Sequence, residues 1–182
     1  MIRTIMQDRD VRGNSARWAN WMSQLSITTC LFCVKQHGKI VEISILDYNY
    51  EVNAHPNCRC VYVPMRTIQH GRATSLGYNG ADAYLIVFNR LPSYYVPKED
   101  AEDAGWVNWQ GNLDEVLPGK MIGGNIYNNR DGKLSSAPGR VLREADINYS
   151  GGYRNDERIL YSNDGLIFVS RDHYKTFYEI TR

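Results

Sequence analysis

Every cysteine of this chain, Cys30, Cys33, Cys58 and Cys60, lies in its first third, whereas 10 of its 13 tyrosines follow Gly77. Two ways of stabilising a fold are therefore confined to different stretches. A short segment with little core of its own needs a staple, and a longer aromatic-rich one does not. Charge divides in the same place: residues 1–77 carry 9 Lys and Arg against 5 Asp and Glu, and residues 78–182 carry 12 against 15. The boundary is expected in Gln69–Gly77, a polar, glycine-bearing stretch without apolar period, giving a cysteine-rich segment 1–68, a linker 69–77 and a domain 78–182. The longest apolar run, Tyr84–Phe88, falls far short of the roughly 18 residues that span a bilayer, so no membrane insertion is expected. The first ten residues lack a basic stretch followed by an apolar core, so no signal peptide is expected either. Delivery by a larger machine is compatible with both.

Cys30-Leu31-Phe32-Cys33 and His55-Pro56-Asn57-Cys58-Arg59-Cys60 form two knuckle-like clusters, joined by Gly38–Ile45, whose alternation reads as a returning strand. Facing thiolate pairs suit tetrahedral zinc, and a structural zinc would contribute directly to folding. Two disulfides, or thiols that bind nothing, are the alternatives; the missing secretion signal favours zinc. Four of five candidates can ligate, and the expected set is Cys30, Cys33, Cys58 and Cys60, with His55 as the substitute for Cys60. His37 and His70 read as solvated loop residues. Upstream, Trp18, Trp21, Met22 and Leu25 recur at helical spacing within Asn14–Leu25 and predict the packing face of a helix. The cysteine pattern, with Gly38-Lys39, resembles the C-terminal end of the phage Mu F-like head morphogenesis (minor capsid) domain over about residues 25–65. That resemblance implies a phage or prophage origin, a setting in which such domains can carry a C-terminal toxin.

Beyond Gly80 helices come first and strands later. Ala81–Arg90 reads as a helix stopped before Pro92, and Pro97–Gly105 as a second with proline at its start and glycine at its end. Met121–Tyr127, Val141–Ile147, Arg158–Ser162, Leu166–Ser170 and Thr176–Ile180 read as strands, with Asn163-Asp164-Gly165 a hairpin signal. The fold class is α+β: N-terminal helices packed on an antiparallel β-sheet, preceded by a small zinc-knuckle-like segment.

The run Arg143-Glu144-Ala145-Asp146-Ile147-Asn148-Tyr149 concentrates the chemistry. On a strand Glu144, Asp146 and Asn148 face one way, and Ala145 and Ile147 face the core. With Arg154, Arg158 and the lone His173, the segment supplies a carboxylate, an imidazole and two guanidiniums. These suffice to cleave a phosphodiester through a neighbouring hydroxyl, which needs a base, an acid and positive charge where the phosphorane forms. No catalytic cofactor is expected. Asp146 reads as a structural partner that orients the two arginines. The acidic residues gather at Glu99, Asp100, Glu102, Asp103, Asp114 and Glu115, leaving Lys98, Arg130, Arg154 and Arg158 for a positive cleft.

Gly105-Trp106-Val107, Leu117-Pro118-Gly119-Lys120-Met121-Ile122-Gly123-Gly124, Asn129-Arg130-Asp131-Gly132-Lys133-Leu134, Arg143–Tyr149, Arg158–Ser162 and Asp172-His173-Tyr174 together closely resemble the barnase/binase-type guanyl-preferring bacterial ribonucleases, over about residues 78–182. The resemblance implies the microbial ribonuclease fold and cleavage of single-stranded RNA to a 2′,3′-cyclic phosphate, followed by hydrolysis. It implies Glu144 as base, His173 as acid, and Lys98, Arg154 and Arg158 as phosphate-holding cations. It also implies Tyr127, Asn128, Arg130, Asp131 and Tyr174 as substrate residues. Asp131 stands where the family has a glutamate reading guanine, so relaxed base preference is expected. Asn128 and Asn125 replace serine and aspartate, Leu142 and Gly165 replace tryptophans, and Tyr127 replaces phenylalanine.

The combined expectation is a phage-particle-associated or delivered endoribonuclease toxin acting in the target-cell cytoplasm. RNA and a barstar-like acidic inhibitor or immunity protein are its expected partners, together with phage head or toxin-delivery proteins. A phage minor capsid component whose ribonuclease-like tail serves binding or assembly is the alternative.

Overall fold

Runs rich in Ile, Val, Leu and Tyr form strands because branched and aromatic side chains pack well on a pleated surface. In the computed structural model of the chain, which describes residues 16–45, 51–52 and 54–182, seven such runs join into one sheet. Its antiparallel body is β7 (Met121–Ile126), β8 (Leu142–Asp146), β9 (Arg158–Ser162), β10 (Ile167–Ser170) and β11 (Tyr178–Thr181). A parallel strand closes each edge: β5 (Thr67–Gln69) beside β11, and β6 (Tyr95–Val96) beside β7. The hairpin signal Asn163-Asp164-Gly165 does join β9 to β10, with the Gly165 amide bonded to the Ser162 carbonyl at 3.2 Å. The expected helices are present and slightly shorter, at Ala81–Phe88 and Lys98–Asp103.

Both faces of the sheet are covered, so successive residues of β10 are buried alternately in different cores. Ile167 and Val169 pack with Ile159, Ala145 and Ile147 under the helix Ala81–Phe88. Phe168 joins Leu160, Leu142, Phe177 and Leu134 on the opposite face. A smaller cluster of Ala101, Trp106, Leu113 and Ile122 lies under the helix Lys98–Asp103. This double burial explains why β10 reads as a continuous apolar run rather than an alternation.

The cysteine-bearing part forms a second sheet of four strands in the order β2-β1-β4-β3. They are β1 (Trp18–Met22), β2 (Ile40–Glu42), β3 (Glu51–Val52) and β4 (Cys60–Pro64), with a helix at Leu31–Gln36. The helix expected over Asn14–Leu25 is instead a strand over Trp18–Met22, with irregular backbone on either side; residues 14 and 15 lie outside the described residues. The helical spacing of Trp18, Trp21 and Met22 misleads because β1 is a central strand, paired with β2 at Asn20↔Ile40 and with β4 at Trp21↔Tyr62. Backbone pairing on both sides overrides a period that four residues can mimic. Gly38–Ile45 is strand only over Ile40–Glu42 and turns into a 3-10 segment at Ile43–Ile45.

The two sheets share a core. Trp18, Ile40 and Met65 are buried in the same cluster as Phe168, Leu160 and Leu134, and the Trp18 ring meets Phe168 edge-on at 5.9 Å. At the far end, Glu179 of β11, 2% exposed, accepts from the Arg17 amide at 2.8 Å. The stretch 69–77, expected as a linker, starts at the end of β5 and stays on the molecule: Ala73 is buried and its amide donates to buried Asp82 at 3.0 Å. Among the described residues no helix is long and apolar enough to cross a membrane.

Candidate active site

β8 carries the site because its alternation sets Leu142, Glu144 and Asp146 on one face and Ala145 and Ile147 on the other. Its neighbour β7 comes close enough that a Cβ on Gly123 would sit 2.5 Å from the Ala145 Cβ, so glycine is required there. The ladder slips between Gly123 and Asn125, with Gly124 at φ +96. Asn125 beyond this bulge accepts from the Lys98 amide at 3.0 Å and so anchors the helix that presents Lys98. Asn148 does not share the face of Glu144. The strand has ended, Asn148 is at φ +57, and its side chain bonds the Ser75 amide and Glu157.

Glu144 is gripped at both oxygens. Lys98 Nζ lies 2.9 Å from Oε1, and the Tyr174 hydroxyl donates to Oε2 at 2.6 Å. Burial alone pushes this carboxyl up, but the bonds from Tyr174 and Lys98, with the charges of Lys98 and Arg154, outweigh it and hold Glu144 below the usual range. Tyr174 thus binds the carboxylate, a role its expected place among the substrate residues did not include. The same contact and the burial of its ring push the Tyr174 phenol well up.

Asp146, 1% exposed, takes Arg154 in a two-pronged pair at 2.6 Å on each oxygen. Arg158 Nε lies 3.1 Å from the same carboxylate, and its NH1 donates to the Asn155 and Glu157 carbonyls. Arg154 also lies 6.0 Å from the Trp106 ring. Two guanidiniums share one carboxylate, which leaves net positive charge beside Glu144.

His173 sits on a strained turn. It and Tyr174 have φ of +53 and +66, a left-handed region costly for residues with a Cβ. Asp172 holds the turn, accepting from the amides of Lys175 and Thr176 and from the hydroxyls of Ser170 and Thr176. The His173 amide donates to the Asp156 carbonyl at 3.0 Å. The imidazole is left exposed, its ring 4.7 Å from that of Tyr174.

Opposite lies the loop 127–134. Tyr127 stacks on Tyr174 at 5.2 Å, and the Asn129 side chain bridges the loop, bonding both the amide and the carbonyl of Leu134. Asn128, Arg130 and Asp131 are exposed, with Asp131 3.7 Å from Lys133 Nζ. Lys98, Glu144 and His173 line one open cleft of about 640 Å³ with Tyr127, Asn128, Arg130, Asp131 and Tyr174. Arg154 and Arg158 do not line it and are held on Asp146 instead. Asn129 and Lys133 also line the cleft; neither was among the expected site residues, although both lie in the motif Asn129–Leu134 that carries the resemblance.

The cysteine cluster is a second site. His55 Nε2 lies 3.2 Å from Cys30 Sγ and 3.1 Å from Cys33 Sγ, and Cys33 Sγ is 3.9 Å from Cys58 Sγ. The candidate donors group into two triads sharing Cys33, one of Cys30, Cys33 and His55 and one of Cys33, Cys58 and Cys60, each with its ligand atoms within 4.8 Å of one another, and thiolate with imidazole donors suit zinc. Amides of Cys33 at Cys30 lower that thiol, and burial at Cys58 is outweighed by the amides of Cys60 and Ala54. Cys60 completes a group with Cys33 and Cys58 but points its thiol at Ser23 Oγ, 3.4 Å away. His37 and His70 are not free loop residues: His37 Nδ1 accepts from the Ser23 amide, and His70 packs on Tyr78.

A sheet that presents a clamped carboxylate, an exposed imidazole and cations in one cleft is an arrangement able to carry acid–base chemistry on a negatively charged molecule. The family model described as ribonuclease matches residues 80–181, and the chain belongs to the ribonuclease family. It is 52% identical over 103 residues to a ribonuclease of Heyndrickxia coagulans, spanning 57% of this chain and 94% of that protein. It is 50% identical over 111 residues to ribonucleases of Bacillus intermedius and Bacillus pumilus, spanning 61% of this chain and 68% of each. The mixed α and β architecture with its antiparallel sheet is consistent with the microbial ribonuclease fold.

Proposed function

We propose that the chain is a metal-independent endoribonuclease that cleaves single-stranded RNA by transesterification to a 2′,3′-cyclic phosphate and then hydrolyses that ester. The observation that carries this is Glu144, ionised between Lys98 and Tyr174 and sharing a cleft with His173. Glu144 takes the 2′-hydroxyl proton as the oxygen attacks phosphorus, and protonated His173 gives a proton to the departing 5′-oxygen. In the second step His173 takes a proton from water, which opens the cyclic ester, and Glu144 returns its proton to the 2′-oxygen. Lys98 neutralises the phosphorane directly, and Arg154 with Arg158 add charge from behind. DNA lacks the nucleophile, so selectivity for RNA follows. Asn128, Arg130 and Asp131, exposed on the loop, receive the base, with guanine favoured because Asp131 can accept from its N1–H and N2–H edge.

The test is incubation with guanylyl and adenylyl dinucleotides in excess EDTA, following cyclic phosphate. Cleavage by the parent and not by Glu144→Ala supports the proposal. A folded parent that cleaves neither substrate overturns it and favours a binding or assembly role in a phage head.

The cysteine cluster is proposed to hold one structural zinc through Cys30, Cys33, Cys58 and Cys60, with His55 as the substitute for Cys60; the two triads that share Cys33 support either fourth ligand. In the cell the protein is proposed to be a delivered toxin, with a barstar-like acidic inhibitor covering the cationic cleft in the cell that makes it. The Cys/His module ahead of the nuclease supports that reading.

A further inference from the structure

β2 is the outer strand of the small sheet, and outer strands leave backbone amides without partners in their own sheet. Here the Ile40 amide donates to the Lys133 carbonyl of the cleft loop at 2.7 Å. Packing accompanies the bond: Ile40 and Leu134, 2% and 1% exposed, belong to one core cluster with Trp18. The Lys39 Cε lies 3.9 Å from where a Cβ on Gly132 would stand. Lys133 then carries the hold across the cleft, its Nζ donating to the Tyr174 carbonyl at 3.0 Å. The exposed tip of the loop, Asn128, Arg130 and Asp131, has few other contacts to fix it.

We propose that β2 of the N-terminal module is a positioning element for the loop 127–134, holding it through the Ile40–Lys133 bond and the Ile40–Leu134 contact in the conformation that receives the nucleobase. The proposal rests on reading that loop as the base-recognition segment. A loop ordered in advance binds without an ordering cost, so weakening the brace raises KM and leaves proton transfer at Glu144 and His173 intact. The module is then part of the enzyme's specificity and not only a passenger ahead of it.

The experiment uses the full chain and two variants. Ile40→Ala weakens the brace; Arg17→Met removes a different tie of the module, the side-chain pair with Glu179 on the far edge of the sheet, and leaves the Arg17 amide bond and the shared core in place. Expected are a guanylyl dinucleotide KM raised about tenfold in Ile40→Ala with kcat within about twofold, and faster amide exchange at Gly132 and Leu134. Arg17→Met should leave all three unchanged. Unchanged KM and exchange in folded Ile40→Ala, or an equal loss of kcat in both variants, overturns the proposal. Should Ile40→Ala not fold, the parent decides: saturating guanosine 3′-monophosphate should slow exchange of the Ile40 amide along with those of the loop. An Ile40 amide indifferent to bound nucleotide overturns the brace. Loop amides at Asn128, Arg130 and Asp131 indifferent to saturating guanosine 3′-monophosphate would instead sink the base-loop reading, with exchange at Gly132 and Leu134 in Ile40→Ala still deciding the brace.

Discussion

The base role proposed for Glu144 requires it ionised, and two donors of different kinds favour that form: a cation, Lys98, and a phenol, Tyr174. A carboxyl held below its usual range stays ionised to lower pH, so the acidic limb of kcat/KM should lie below that of an ordinary glutamate. Tyr174→Phe removes one of the depressing groups and should move that limb to higher pH; a limb that stays in place would show that the phenol does not tune the base. Glu144→Ala should lower the rate of cyclic phosphate formation by on the order of 10²–10⁴-fold with the fold retained, as circular dichroism would check. Behind it, Asp146→Asn strands two guanidiniums of which Arg158 is 4% exposed. Breaking a buried pair from one side costs about 3–5 kcal/mol, so the urea midpoint should fall well before any catalytic role needs to be invoked. These residue types were legible in the sequence. The partner that grips Glu144 was not, because Tyr174 lies far along the chain and nothing local ties the two.

At the scale of elements, the strained turn at His173 depends on Asp172, whose carboxylate takes four donors. Asp172→Ala frees two consecutive left-handed residues to relax, each holding roughly 1–3 kcal/mol of strain, and so lets the imidazole drift. The expected result is a large fall in kcat with little loss of thermal stability, and a proportionate loss of both would mean that the turn serves folding alone. The sequence revealed five strands, the hairpin and two helices of the large unit with errors of a residue or two, and missed the edge strands β5 and β6 and the short helix Leu113–Val116. It misled at Trp18–Met22, where four residues mimic a helical period and only pairing on both sides decides for a strand. Asn148 was misplaced for a related reason: alternation holds only while the strand continues, and β8 stops at Asp146.

For the molecule as a whole, the N-terminal module contributes Trp18, Ile40 and Met65 to the core beneath Phe168. Trp18→Ala should destabilise the whole chain by about 3–5 kcal/mol in a single transition. Two separate transitions, with the nuclease part unshifted, would show that the shared core carries no energy. Metal analysis of protein purified without added zinc should find one equivalent, and none would sink the zinc site. The sequence by itself determined the kinds of chemistry available, a base and an acid with cations in one half and soft ligands in the other, because side-chain chemistry and short spacings are local. It also determined the alternation that turns Glu144 and Asp146 away from Ala145 and Ile147. Only the tertiary structure decided which cations touch the base, that Arg154 and Arg158, paired with Asp146 as read, do not line the cleft, and that β2 reaches the loop 127–134. Those are contacts between residues distant in the chain, chosen by how two sheets pack, and no local period or composition encodes them.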